Sequence, residues 1–139
     1  MFLTEKLQRT VEDLLWAEDS QERLAEIVDR SKKVSPLGPA ERIEANCVRG
    51  CVSVVWLAAE EREGRCYFRG DAESPLVRGL VLFLADFFSG APVEEMATSN
   101  DDPLSALGLL QNLSPTRRNG LAAVREAMRG FAVETLKKV

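Results

Sequence analysis

The sequence predicts an α+β fold in which a small antiparallel β-meander packs with about five helices. Residues 52–57 are rich in β-branched and aromatic side chains, which is typical of a strand, and residues 65–69 return as its partner after a polar stretch that ends in Gly64. Most of the remaining chain carries apolar residues at helical spacing. Because 139 residues are enough for one domain with a real core, we expect residues 1–139 to form a single domain.

The N-terminal part of the chain predicts two amphipathic helices and an irregular connection. Residues 4–17 form the first helix, whose apolar stripe consists of Leu3, Leu7, Val11, Leu14 and Leu15. Asp19 is expected to cap the second helix, since Glu22 follows three residues later. Residues 31–44 contain prolines and a glycine among charged residues, and they predict an ordered connection within the domain.

Further helices are predicted after the strands. Ser74 begins a helix that ends before Gly90 and is apolar nearly all round, so it should be the most buried element. Residues 103–110 predict a short helix. Ser114 caps the last helix, whose inner face is marked by Leu121, Val124, Met128, Phe131 and Leu136.

The strand pattern also predicts where Cys66 lies. Alternation places Trp56 and Ala58 on the same face of the first strand. If the turn is centred near Arg62, Cys66 lies opposite Ala58 and roughly 23 Å from Cys51, at ~3.3 Å per residue. No metal ion could bridge two thiols across that distance, so we expect Cys66 to be a packed strand residue.

The composition excludes several classes of function. The formal net charge of -4 argues against general nucleic-acid binding. The chain has no histidine, which removes the commonest general base and metal ligand and excludes a Cys–His nucleophile pair or a histidine-based hydrolytic triad. Three cysteines, an odd number, do not suggest a disulfide framework.

The sequence favours a cytoplasmic location with no membrane partner. No apolar run is long enough to span a bilayer. Residues 1–9 become charged almost at once and lack the apolar core of a signal peptide. Thiols stay reduced in the cytosol, which leaves the cysteines free for chemistry.

Cys51 is the candidate for that chemistry, because it lies between Gly50 and the apolar run of the first strand. A thiol at such a turn-to-strand junction can be reached by a large partner while the strand behind it holds it still. Free cysteine is also among the most buried residue types, so a small packed side chain is the alternative interpretation. Position alone does not decide between the two.

Residues 46–57 resemble the signature of the SufE family, Asn-x-Val-x-Gly-Cys-x-Ser-x-Val-Trp-Leu. The matching residues are Asn46, Val48, Gly50, Cys51, Ser53, Val55, Trp56 and Leu57. Further matches follow in order at Gly70-Asp71, residues 76–80, residues 113–117 and Gly120-Leu121. The likeness covers nearly the whole chain and implies a SufE/IscU-like fold.

The resemblance implies a sulfur acceptor of the SufE/CsdE type. Cys51 matches the family's acceptor, which takes persulfide sulfur from a SufS- or CsdA-like cysteine desulfurase, stimulates that enzyme and delivers sulfur for iron–sulfur cluster assembly on a SufBCD-like scaffold. The pyridoxal phosphate belongs to the desulfurase, so we expect this chain to carry no cofactor and no metal. The particular desulfurase, the final destination of the sulfur and the oligomeric state stay open at this stage.

Four further residues are candidates for partner contact or for shaping the loop. Arg49 lies two residues from Cys51, and its positive charge would lower the pKa of that thiol; a solvated loop arginine is the simpler interpretation. Gly50 permits the turn itself. Arg117 matches the family's arginine at the start of the last helix, and Asp71 matches a family position that ends the strand or caps the turn.

Cys47 and two alternative functions remain open from the sequence. Cys47 is either packed in the sheet or a resolving thiol that forms a disulfide with Cys51, which needs Cα atoms within ~7 Å. An IscU-like metal or cluster scaffold is the first alternative, although Cys47 and Cys51 alone supply too few ligands for a closed site. The second is a regulatory module that docks on a desulfurase without carrying sulfur.

Overall fold

A computed structural model describes residues 1–50 and 54–138. Its elements are α1 (Phe2–Asp13), α2 (Ser20–Ser31), β1 (Val55–Arg62), β2 (Arg65–Ala72), α3 (Pro75–Phe88), α4 (Val93–Thr98), α5 (Pro103–Ala106) and α6 (Pro115–Lys137), with 3₁₀ turns at Glu44–Asn46 and Leu110–Asn112. The strands form an antiparallel sheet, so the predicted α+β class is confirmed. In these ranges no helix has the length and apolar character needed to cross a bilayer.

The β1–β2 hairpin closes through a two-residue turn of Glu63 and Gly64, whose φ angles of 52° and 79° are both positive. Such a pair matches the natural twist of the strands. Glu61 supports the turn, because its Oε2 accepts a hydrogen bond from the Gly64 N–H at 2.7 Å. The prediction that Cys66 lies opposite Ala58 is wrong: Cys66 pairs with Glu61, because the ladder continues through the polar end of β1.

The edge of β1 is extended by a single bridge at its N-terminal end. Cys47 lies opposite Trp56, and the Val48 N–H donates to the Val55 carbonyl at 2.9 Å. The segment that leads to the Cys51 loop thus joins the sheet through this bridge. On the core side of β1, Val55 and Leu57 are buried, whereas Trp56 on the opposite face is half-buried.

Helix α3 is the centre of the core, as its apolar sequence predicted. Its buried apolar side chains are Val77, Leu80, Val81, Leu84, Phe87 and Phe88. The helix packs against β2 and against α2. Gly79 permits the close approach to α2, since a Cβ at that position would meet the Val28 Cα at 3.0 Å. Only glycine therefore fits this crossing without a shift of the backbone.

Three helices differ from the prediction at their ends. Helix α1 ends before Leu14, because Leu14 and Ala17 turn into the core from the following loop. Helix α5 has only four residues, and Gly108 beyond it adopts a φ of 71° that interrupts helical geometry. Helix α6 extends past the core, so the predicted inner residue Leu136 is exposed.

Candidate functional site at the Cys51 loop

Cys51 lies outside the described residues, but the chain on both sides of it is described. The hydrogen bond from the Val48 N–H to the Val55 carbonyl joins the segment that leaves the sheet to the segment that returns. Gly50, between them, has a φ of 93°, and a Cβ there would lie 3.3 Å from the Ala123 Cβ. The predicted turn thus begins from a hydrogen-bonded base, and Gly50 at its start lies against α6.

Asp71 is completely buried near the end of β2 and binds four donors. Arg42 Nη2 and Arg78 Nε reach its two oxygens at 2.6 and 2.8 Å. The N–H groups of Leu37 and Ala72 donate to it at 3.0 and 2.9 Å. Burial alone would raise the pKa of the Asp71 carboxyl, but these hydrogen bonds, led by that of Arg42, outweigh burial and hold its pKa below the ordinary value. The ionised carboxylate is enclosed by its own chain.

Arg42 connects this buried carboxylate to the base of the loop. Its guanidinium carbon lies 5.0 Å from the centroid of the Trp56 ring, which is a cation–π contact. Trp56 is in turn the residue opposite Cys47. Sequence reasoning missed Arg42, because it lies 29 residues from Asp71 in an irregular connection. The one available signal was the need of an acidic residue inside a strand for a cationic partner.

The two candidate arginines, Arg49 and Arg117, are both exposed. Arg49 is 89% exposed, and its Nη2 lies 3.9 Å from the Glu44 Oε1, a solvent-screened pair that contributes little to stability. Arg117 lies in the first turn of α6, about 9 Å along the helix axis from Ala123. Both arginines thus lie at the surface, while Asp71 lies inside.

An open cleft of about 510 Å³ adjoins the described part of the loop. It lies between residues 45–49, the edge of β1 and one face of α6. Its apolar lining consists of Val48, Leu57, Ala59, Ala123, Ala127 and Phe131. The cleft is mixed in character, because Asn46, Arg49 and Glu126 line it together with these apolar residues, and it lies directly beside the segment that leads into Cys51.

The two described thiols lie in opposite environments. Cys66 is 0% exposed. Burial first, and then the negative charges of Glu61 and Glu94, raises its pKa to about 11. Cys66 is therefore a protonated, packed strand residue at neutral pH, as predicted. Cys47 is exposed, so the interpretation that it packs in the sheet is wrong.

Within residues 1–50 and 54–138, no three His, Cys, Asp or Glu side chains are grouped so that they could hold a metal ion. The described chemistry of this region consists of exposed arginines, one exposed thiol and a cleft with polar and apolar lining.

Fold and site together define an α+β protein that presents a short loop on a hydrogen-bonded base beside a cleft. The family model of SufE, described as an Fe-S metabolism associated domain, matches residues 8–132. The chain belongs to the SufE family, which associates it with iron–sulfur metabolism.

Individual relatives agree with this assignment. An uncharacterised SufE-like protein of Synechocystis is 31% identical over 131 residues, which cover 94% of this chain and 82% of the relative. SufE-like protein 1, chloroplastic/mitochondrial, of Arabidopsis thaliana is 33% identical over 132 residues, and the match covers only 36% of its length. The solution structure of a hypothetical protein from Thermus thermophilus superposes with a TM-score of 0.75 at 20% identity, covering 95% of this chain and 96% of that one. This last likeness supports the fold.

Proposed function

We propose that this chain is a sulfur acceptor and carrier whose Cys51 takes persulfide sulfur from a cysteine desulfurase. One observation carries the proposal: a SufE-family chain has cysteine at position 51 within the signature of residues 46–57. The hydrogen-bonded base of the loop, from Val48 to Val55, supports it, since an acceptor benefits from a fixed position. The inert environment of Cys66 removes one competing thiol.

The proposed transfer is a thiol–disulfide type of exchange. The Cys51 thiolate attacks the outer sulfur of the persulfide on the desulfurase. A sulfur–sulfur bond forms on Cys51, the bond to the enzyme's cysteine breaks, and that cysteine leaves as a thiolate. Because no net oxidation occurs, the chain needs no cofactor for this step. A second exchange of the same kind passes the sulfur to a SufBCD-like scaffold for cluster assembly.

The surrounding residues divide into two proposed roles. Arg49, Gly50 and Arg117 form the surface that the desulfurase contacts, since all three are exposed or lie at the turn. Asp71 acts from inside the protein, because it holds Arg42 against the strand at the base of the loop. In this proposal residues 1–139 act as one domain in the cytoplasm.

Mass spectrometry of the intact protein tests the acceptor role directly. The chain is incubated with a cysteine desulfurase, pyridoxal phosphate and cysteine, and then digested and mapped. We expect a reducible gain of one sulfur atom on the Cys51 peptide, and no gain in Cys51→Ser. Cys47→Ser is the matched control, because it removes the exposed neighbouring thiol and should leave the gain intact.

The stimulation of the desulfurase separates the alternatives. Under the carrier proposal, Cys51→Ser abolishes stimulation together with the sulfur gain. Stimulation that survives Cys51→Ser would identify a docking module instead. Sulfur that accumulates on Cys47 in the wild-type chain would also contradict the assignment of Cys51.

A further inference from the structure

Within residues 1–50 and 54–138, the outer backbone edge of β1 is open from Ala59 to Arg62. In an antiparallel ladder, backbone groups point alternately towards the partner strand and away from it. The Val55 carbonyl points away from β2, since it accepts from Val48. Leu57, Ala59 and Glu61 share the phase of Val55, so their N–H and C=O groups point to the same side.

The hydrogen bonds of β2 agree with this alternation of backbone directions, and they show that the outer edge of β2 is covered. Cys66, which pairs with Glu61, donates its N–H away from β1 to the Ala91 carbonyl at 2.9 Å. The outer edge of β2 is thus covered by the chain after α3. On β1, by contrast, the outward groups of Ala59 and Glu61 have no backbone partner among residues 1–50 and 54–138.

A row of alternating N–H and C=O groups is satisfied best by another extended backbone. The open edge from Ala59 to Arg62 is about 10 Å long, which suits a segment of three to four residues at ~3.4 Å each. It lies along the cleft described above, beyond Cys47 and the 3₁₀ turn at Glu44–Asn46, which contacts β1. One end of an added strand would lie beside this turn, next to the segment that leads into the Cys51 loop.

The side chains around the edge define the chemistry of the occupant. The α6 wall of the cleft carries the apolar Ala123, Ala127 and Phe131 together with Glu126, so the side chains of the added strand that face it should be mostly apolar. The open end carries the exposed carboxylates of Glu60, Glu61 and Glu63. Arg62 lies among them, with its Nε 3.6 Å from the Glu60 Oε1 and its guanidinium over the Tyr67 ring of β2, so negative charge remains in excess on β1 and its turn. The remaining side chains should therefore include a basic residue.

We propose that the cysteine desulfurase adds an extended segment, with alternating apolar and basic residues, as a strand on the Ala59–Glu61 edge of β1. The inference rests on the proposed function for the identity of the partner. It adds a docking mode, which places the partner's backbone along the cleft and next to the segment that leads into the loop.

Amide hydrogen exchange of the full chain, free and bound to the desulfurase, tests the docking mode. We expect exchange at the Ala59 and Glu61 amides to slow by about tenfold or more in the complex. The amides of Ala58 and Glu60 should change little, because their phase directs them to β2 in both states.

Substitution at Ala59 provides the matched pair of variants. Ala59→Pro removes the outward N–H without touching the β2 ladder, and we expect it to raise the Kd for the desulfurase about tenfold. Ala59→Ser keeps the N–H at similar size and should leave the Kd unchanged. Because docking and chemistry are separate, Ala59→Pro should still take sulfur on Cys51 when the desulfurase is saturating.

Each outcome decides between the docking mode and the carrier function. A complex that forms without protection at Ala59 and Glu61 overturns the added strand and leaves the acceptor role standing. Sulfur transfer that fails in the wild-type chain overturns the carrier function, whatever the exchange pattern. If no complex forms with any desulfurase, both fall. If Ala59→Pro does not fold, exchange in the wild-type chain decides alone.

Discussion

The β1–β2 hairpin is held very differently at its two ends. At the loop end, where Val55 faces Ala72, the buried Asp71 binds two arginines and two backbone N–H groups. At the turn end, Glu63 and Gly64 stand in solvent, and the sheet is covered only on the β2 side. One hairpin thus combines a rigid base with an accessible edge.

The stabilising interactions of the hairpin are distributed unevenly between its two ends. Ionic and hydrogen-bonding groups are concentrated around Asp71 at the loop end, whereas the outward backbone groups of Ala59 and Glu61 near the turn have no backbone partner among the described residues. The turn end is closed instead by local geometry and by the packed Cys66. Each of these three features can be changed separately.

Replacing Asp71 would break the loop end and has the largest expected effect. Asp71→Asn leaves Arg42 and Arg78 without their shared countercharge, so we expect the free energy of unfolding to fall by about 3 kcal/mol. Urea unfolding measures this. Glu41→Gln is the control, because it breaks only the more exposed pair with Arg69 and should cost less than ~1 kcal/mol.

The effect of Asp71→Asn should depend on pH. Folding lowers the pKa of the Asp71 carboxyl, so its stabilisation is complete above the unfolded-state pKa of about 3.9 and is lost as the pH falls through the lower folded-state pKa. The stability difference between wild type and Asp71→Asn should therefore shrink below about pH 4. A difference that stays constant in acid would contradict an ionised Asp71.

At the turn end, the Cys66 thiol should make the free energy of unfolding depend on alkaline pH. Folding raises its thiol pKa from 9.0 to about 11, so the stabilisation is complete below pH 9.0 and is lost as the pH rises through about 11. Over this window, unfolding curves should show a loss on the order of 2 kcal/mol that Cys66→Ala lacks. Cys47→Ala should keep the loss, since Cys47 is exposed. Equal slopes in wild type and Cys66→Ala would refute the raised pKa.

A substitution in the turn should have the smallest effect, and it should raise rather than lower the free energy of unfolding. Glu63 has a positive φ of 52°, which asparagine adopts more readily in a turn that is followed by glycine. Glu63→Asn should raise the free energy of unfolding by ~0.5 kcal/mol in the same urea assay. Glu60→Asn, next to the turn but within the strand, should give no gain. A loss of stability in Glu63→Asn would show that the Glu63 side chain has a role of its own.

The features that sequence predicted well are decided by neighbouring residues. Asp19 caps α2, accepting from the Glu22 N–H at 2.8 Å, and Ser114 caps α6, accepting from the Arg117 N–H at 3.3 Å. The apolar character of α3 likewise fixed its central place. In each case the signal lies within a few residues, so no knowledge of the tertiary structure was needed.

The features that sequence missed depend on contacts between distant segments. The predicted strand pairing of Cys66 was wrong because the polar residues at the end of β1 suggested a turn. Polar side chains are equally compatible with a strand whose end is exposed to solvent. The partners of Asp71 come from two other segments, and the open edge of β1 appears only once the cover on β2 is known. For the site, the resemblance to SufE pointed to Cys51, but the packing that supports its loop was not readable from the sequence.

The contact between Arg42 and Trp56 has an optical consequence. The chain contains two tryptophans, and Trp16 is 60% exposed in the loop after α1, whereas Trp56 is half-buried beneath a guanidinium. Their indoles therefore differ in access to a soluble quencher and in local electric field. With Trp16 changed to phenylalanine, the remaining emission would come from the residue opposite Cys47, so the protein carries an intrinsic fluorophore at the base of its own loop.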